Sequence, residues 1–204
     1  MDKQKLQIVI DEVVMRTFET MTNLYKKTGK VDTLLIFPDY TRGGQAGNTR
    51  VSEQELRQLF IEELTHYVKE HGLELHYSVE SPTEDGYCFK EDQPHRCDDG
   101  RAGRFDLTIW EDKKIALIEF KYATAEEHEY LKDLCKLTNE IEGSPNVLRY
   151  FINIFESADV KTVFRVKEIL NDGKDIKIPV HLRFHSMNNP TINNNFPTKY
   201  PIAL

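Results

Sequence analysis

Residues 115–122 read Ile-Ala-Leu-Ile-Glu-Phe-Lys-Tyr. An apolar run of that length fits a strand covered on both faces, yet this one closes on a carboxylate and an ammonium. Residues two apart on a strand project to the same side, so Glu119 and Lys121 share a face. Burying a charge without a partner costs several kcal/mol. A strand ending in this way therefore supplies partners for both charges or uses them in chemistry.

A partner lies thirteen positions upstream of Glu119, at Asp106 in Arg-Phe-Asp-Leu-Thr-Ile-Trp (104–110). The four polar residues between Trp110 and Ile115 are of hairpin-turn length. Two antiparallel strands joined there return Asp106 to the neighbourhood of Glu119 and Lys121. Two carboxylates and a lysine then converge at one end of a sheet.

The remaining chain supplies helices and strands around that hairpin. Apolar residues at helical spacing over 5–27 predict an N-terminal helix, with Gly29 as its C-cap. Residues 33–37 form a short apolar segment, an added strand or core filler, ended by Pro38-Asp39. Residues 42–50 are polar and glycine-rich, a linker whose amides and two arginines make a weak phosphate signal. Ser52 and Glu55 have the spacing of a capping box, opening a helix whose stripe is Leu56, Leu59, Phe60, Leu64, Tyr67 and Val68. Glu53 and Glu63 both fall within that stripe, where a carboxylate needs a reason.

Strands are expected at 73–79, 147–155 and 176–184, and helices at 125–141 and 158–170. Residues 80–103 read as a long polar excursion. Cys88, Cys97 and His95 there do not have closed zinc spacing, and the two cysteines are expected as free thiols. Tyr122, Lys132, Asp133, Arg101 and Arg104 are secondary contact candidates. His66, His71 and His76 show no persuasive ligand spacing.

The expected organisation is a single domain: an N-terminal helix and linker over 1–50, a core over 51–185, and an irregular tail over 186–204. At 204 residues, 39% hydrophobic and 30% charged, the chain is ordinary for a soluble globular protein. No apolar run approaches the roughly 20 residues of a membrane span. Three cysteines do not suggest a secreted disulfide framework, and the start does not read as a signal peptide; the expectation is a cytoplasmic protein. A formal charge of −7 counts against a broad basic footprint for nucleic acid, though metal ions held by carboxylates would offset part of it.

Asp106 on one strand, a hairpin, and Glu119-Phe120-Lys121 on the next resemble the PD-(D/E)XK nuclease superfamily, over about residues 52–184. The proline before the aspartate is absent, Phe105 standing in its place, and Pro38-Asp39 is too distant to substitute. Glu53-Gln-Glu-Leu looks like the helix start of archaeal Holliday-junction resolvases, which points to Glu53 as the helix carboxylate and leaves Glu63 as second choice. The resemblance implies a restriction-endonuclease-like αβββαβ core, an α/β fold with a mixed sheet flanked by helices, plus the added N-terminal helix. It also implies a Mg²⁺- or Mn²⁺-dependent nuclease, acting on DNA rather than RNA, in defence, restriction or repair. Asp106, Glu119, the Phe120 carbonyl and Glu53 would hold the metal, with Lys121 orienting or deprotonating a water or stabilising charge. The acidic balance leaves room for a homodimer or protein partner to add grip. The alternative is an inactive protein of the same fold, serving as a nucleic-acid-binding or assembly subunit.

Overall fold

The computed structural model describes residues 1–42, 45–89, 94–171 and 178–189. It is an α/β structure built on a mixed six-stranded open sheet with helices on both faces. The chain begins with α1 (Lys3–Lys26), whose N-cap Asp2 accepts from the Lys5 N–H and whose C-cap is Lys27 in the left-handed region, not Gly29. Residues 33–37 add no strand: Phe37 is buried, but Leu34 and Ile36 project into solvent. The expected linker instead contains a small hairpin, β1 (Asp39–Arg42) and β2 (Gln45–Thr49); residues 43–44 of it lie outside the described part.

Helix α2 (Glu53–His71) follows, closed by Gly72 at φ 58°. Ser52 stands at its N-cap position, but its hydroxyl does not cap a backbone N–H. It donates to the Glu55 carboxylate, which Arg50 also holds.

The sheet order is β4–β3–β5–β6–β7–β8. Its antiparallel part comprises β3 (His76–Cys88), the two-residue β4 (His95–Arg96), β5 (Arg101–Trp110) and β6 (Lys114–Tyr122). Helix α3 (Glu127–Thr138) crosses to β7 (Leu148–Phe155), and α4 (Val160–Asn171) crosses to β8 (His181–Ser186). Both crossovers produce parallel pairs, as a strand–helix–strand connection requires. Asp159 starts α4 by accepting from the Thr162 N–H at 2.8 Å. The expected strand at 176–184 is shorter and later, and residues 172–177 lie outside the described part. So do residues 190–204, where the irregular tail was expected.

Two apolar clusters fill the spaces on either side of the sheet. Residues of α1 and α2 pack with Leu107, Ile109, Ile118, Phe120 and Ile152; residues of α3 and α4 pack with Phe105, Leu117, Phe151 and Phe155. The run 115–122 is thus covered on both faces, as its composition requires.

Among its described residues, the excursion at 80–103 is largely strand; residues 90–93 of it lie outside the described part. Strand β3 continues past Glu80 and pairs with β5 out to Tyr87, with a register shift between Pro82 and Gly86, where a proline is tolerated. The Thr83 hydroxyl takes the Gly103 N–H at 2.7 Å, replacing a ladder bond lost at the bulge. A Cβ at Gly100 would stand 2.5 Å from the Tyr87 nitrogen, so the hairpin closes only around glycine. Beyond it, Cys88 and Cys97 form a disulfide, correcting the free-thiol expectation. Cys88 faces His95 across the β3–β4 pair; that alignment, invisible in the spacing, brings the sulfurs together. Closing so short a loop is worth about 3 kcal/mol at most in chain entropy. Thiol titration of unreduced, denatured protein is expected to find Cys135 alone, and reductant should expose two further thiols and loosen this hairpin before the rest of the sheet.

Among the described residues, no helix is long and apolar enough to cross a membrane.

Candidate active site at the open end of the sheet

Strands β5 and β6 are paired from Trp110–Lys114 to Leu107–Ile118. The next positions in register would be Asp106 and Glu119, and there the ladder stops. The Phe120 N–H donates instead to Asp106 Oδ2 at 2.8 Å. The Arg104 carbonyl accepts from Lys136 Nζ at 2.8 Å. The two strands therefore part just where their acidic residues face each other, and side chains satisfy the freed backbone groups. Phe105 and Leu107 lie in opposite apolar clusters, so β5 changes face at Asp106.

Glu119 and Lys121 both point towards α3. Lys136 Nζ lies 2.5 Å from Glu119 Oε1 and 3.1 Å from Asp133 Oδ1. Lys121 Nζ stands 2.8 Å from Asp133 Oδ2 and 3.6 Å from Glu53 Oε2. Glu53, at the first turn of α2, thus reaches the site from the opposite layer. Glu63 does not; it accepts from Thr20 of α1. The structure therefore gathers Glu53, Asp106, Glu119, Lys121 and the Phe120 backbone. It adds Asp133 and Lys136, of which Lys136 was not anticipated. Tyr122 is half-buried and Lys132 pairs with Glu129 at 3.7 Å.

Four carboxylates face two ammoniums here, and the ionisation of the group reflects that imbalance. Burial lifts Asp106 above the ordinary carboxylate range, against the pull of the Phe120 N–H. Burial and then the charges of Asp133 and Asp106 raise Glu119 further, despite Lys136. Glu53 is raised by burial, partly offset by Lys121. Burial works to lower both lysines, but Asp133 and Glu53 outweigh it at Lys121, and Glu119 and Asp133 at Lys136. Both ammoniums stay protonated.

These shifts set a sign for stability against pH. Folded Asp106, Glu119 and Glu53 keep protons that the unfolded chain gives up near pH 4. Stability is accordingly lost as pH rises from there through their raised folded values. The lysines contribute fully below about pH 10 and do not alter the slope. In chelator, the melting temperature should fall less between pH 5 and pH 8 for Glu119→Gln than for the unsubstituted protein. Equal slopes in a thermal-shift series would show that Glu119 is not the source.

The donors suit a hard cation: all are oxygens, and their mutual repulsion would be relieved by positive charge. Their arrangement is not that of a closed cage. Among the described residues, the three-donor group whose ligand atoms lie within 4.8 Å of one another is Cys88, His95 and Cys97, whose sulfurs are bonded to each other. In the acidic site, Lys121 and Lys136 stand between carboxylates. A cavity of about 280 Å³ lies elsewhere, along α1 beside Phe18 and His185, and holds none of these groups.

Family models, curated proteins and solved structures gave no match to this chain. Its function is therefore read from the site alone.

Proposed function

We propose that the protein is a Mg²⁺- or Mn²⁺-dependent nuclease of the PD-(D/E)XK type, with a restriction-endonuclease-like core, cleaving DNA in preference to RNA. The observation carrying this reading is the parting of β5 and β6 at Asp106 and Glu119, where an aspartate, a glutamate and a lysine from two strands meet a glutamate from α2. The place is also apt, since β6 begins the parallel half of the sheet and ligands of open α/β sheets gather beyond the carboxyl ends of such strands.

Asp106, Glu119 and the Phe120 carbonyl would hold the cation, with Glu53 supporting it. The ion supplies an activated water and polarises the phosphate. Asp106 is oriented for its part by the Phe120 N–H. Lys121, kept protonated between Asp133 and Glu53, donates hydrogen bonds to a water or to the oxygen that gains charge; general-base work at neutral pH does not suit it. Asp133 fixes where the Lys121 ammonium sits. Lys136 holds Glu119 and the Arg104 carbonyl, keeping the strands apart at the site.

A second reading has its own observation. Glu119 is only 2% exposed and already paired with Lys136, so the network can persist without any ion. On that reading the chain is an inactive nuclease fold that binds nucleic acid or assembles with a partner. Incubating purified protein with plasmid, single-stranded DNA and RNA, in Mg²⁺, Mn²⁺ or chelator, separates the two. The nuclease reading expects cation-dependent cleavage, reduced at least about 100-fold in Asp106→Ala. Binding without cleavage under every condition would favour the inactive reading.

A further inference from the structure

Strand β3 carries one residue that a regular strand would not accommodate. Val79 pairs with Leu107 and Ser81 with Phe105, so Glu80 faces Asp106 across the ladder. Its backbone lies in the left-handed region, at φ 51°, a conformation disfavoured for a residue with a Cβ and unusual inside a strand. The turn delivers the Glu80 carboxylate to two arginines. Oε1 pairs with Arg57 of α2, and Oε2 lies 3.8 Å from Arg104 of β5. Arg57 is also 3.9 Å from Asp106 Oδ1. It follows Glu53 by four residues, and residues so spaced lie on one helix face.

Two cations on the two oxygens of one anion, at the edge of a site read as phosphodiester-cleaving, is the pattern in which guanidinium groups take a phosphate. The side chains of Glu80 and Arg104 are 44% and 69% exposed, so that arm holds weakly; Arg57, at 23% exposed, makes the closer pair, but with a glutamate that is itself open to water. An incoming anion can therefore displace the carboxylate. We propose that Arg57 and Arg104 form the subsite for a backbone phosphate of the nucleic acid, and that Glu80 occupies it in the free protein as an anionic stand-in. The inference rests on the nuclease reading. It also explains how an acidic protein keeps a basic subsite: one carboxylate offsets half the charge of the two arginines until a phosphate replaces it. Arg57 reaches Asp106 only at the long distance of 3.9 Å from Oδ1, while Oδ2 is held by the Phe120 N–H.

The test is fluorescence anisotropy with labelled single-stranded and duplex DNA in Ca²⁺, an ion with the same preference for oxygen ligands, over a range of salt. Glu80→Gln, which keeps the shape and removes the charge, is expected to tighten binding about three- to tenfold. Arg57→Gln is expected to weaken it about tenfold and to flatten the slope against log salt by about one phosphate contact. In the double variant the gain from Glu80→Gln should vanish, because the gain acts through the arginine. Thermal melting confirms that each variant is folded.

If the unsubstituted protein cleaves DNA but Glu80→Gln leaves affinity unchanged, the stand-in is wrong and the nuclease reading survives. Persistence of the gain in the double variant overturns the subsite equally. If the unsubstituted protein neither binds nor cleaves nucleic acid, the nuclease reading falls and takes this inference with it.

Discussion

Lys136→Met is expected to cost about 3–5 kcal/mol, because, of the two buried carboxylates that it pairs, Glu119 is left without a cation and Asp133 with Lys121 alone. Both are almost wholly enclosed, at 2% and 3% exposed. Lys136 also satisfies the Arg104 carbonyl and lies over the Phe105 ring at 5.8 Å. Methionine can replace the packing but none of the charge. For a chain of this size the loss corresponds to a fall in melting temperature of between about 6 and 20 °C. Two controls identify the cause. The double variant Lys136→Met/Glu119→Gln should recover part of the loss, since a neutral amide is less costly to bury than a carboxylate. The deficit of Lys136→Met alone should shrink at low pH, where Glu119 takes up a proton. A loss below about 1 kcal/mol would show that water reaches the cluster and screens it.

Asp106 was legible because two rules acted together: strand parity placed Glu119 and Lys121 on one face, and four polar residues fixed the hairpin that returns Asp106 to them. The same parity rule did not show that the ladder ends at Leu107–Ile118, since that depends on side chains outbidding backbone groups. Asp133 and Lys136 had a signal of the kind that picked out Glu53. Asp133 falls among Tyr130, Leu134 and Leu137 on the buried stripe of α3, and Lys136 is its i+3 neighbour. A charged pair on an apolar stripe asks for a buried partner, and Glu119 is that partner. The hairpin of 80–103 was hidden by Pro82 and the Glu-Asp-Gly that follows, which locally read as a turn; cross-strand pairing and the Thr83 hydroxyl carry β3 through the bulge. The disulfide depends on the register that places Cys88 opposite His95, and no count of cysteines contains that.

Lys121→Ala should separate chemistry from stability, and the contrast with Lys136 is the sharpest test of the roles assigned to the two lysines. Removing Lys121 leaves Asp133 still paired with Lys136 at 3.1 Å, and leaves Glu53 in a position 41% open to water. The stability cost should therefore be clearly smaller than for Lys136→Met. Cleavage should suffer more: loss of a donor aimed at developing charge lowers turnover about 100- to 1,000-fold. If Lys121 acts on the transition state alone, KM changes little while kcat carries the loss. Lys121→Arg keeps the charge, but its planar fork must fit a gap sized for an ammonium between Asp133 and Glu53, so it should recover only part of the rate. Measured together, kcat, KM and melting temperature for both lysine variants give two distinct patterns. A fall in stability with unchanged turnover in Lys121→Ala would make it a structural ion pair and leave the site without its proposed donor.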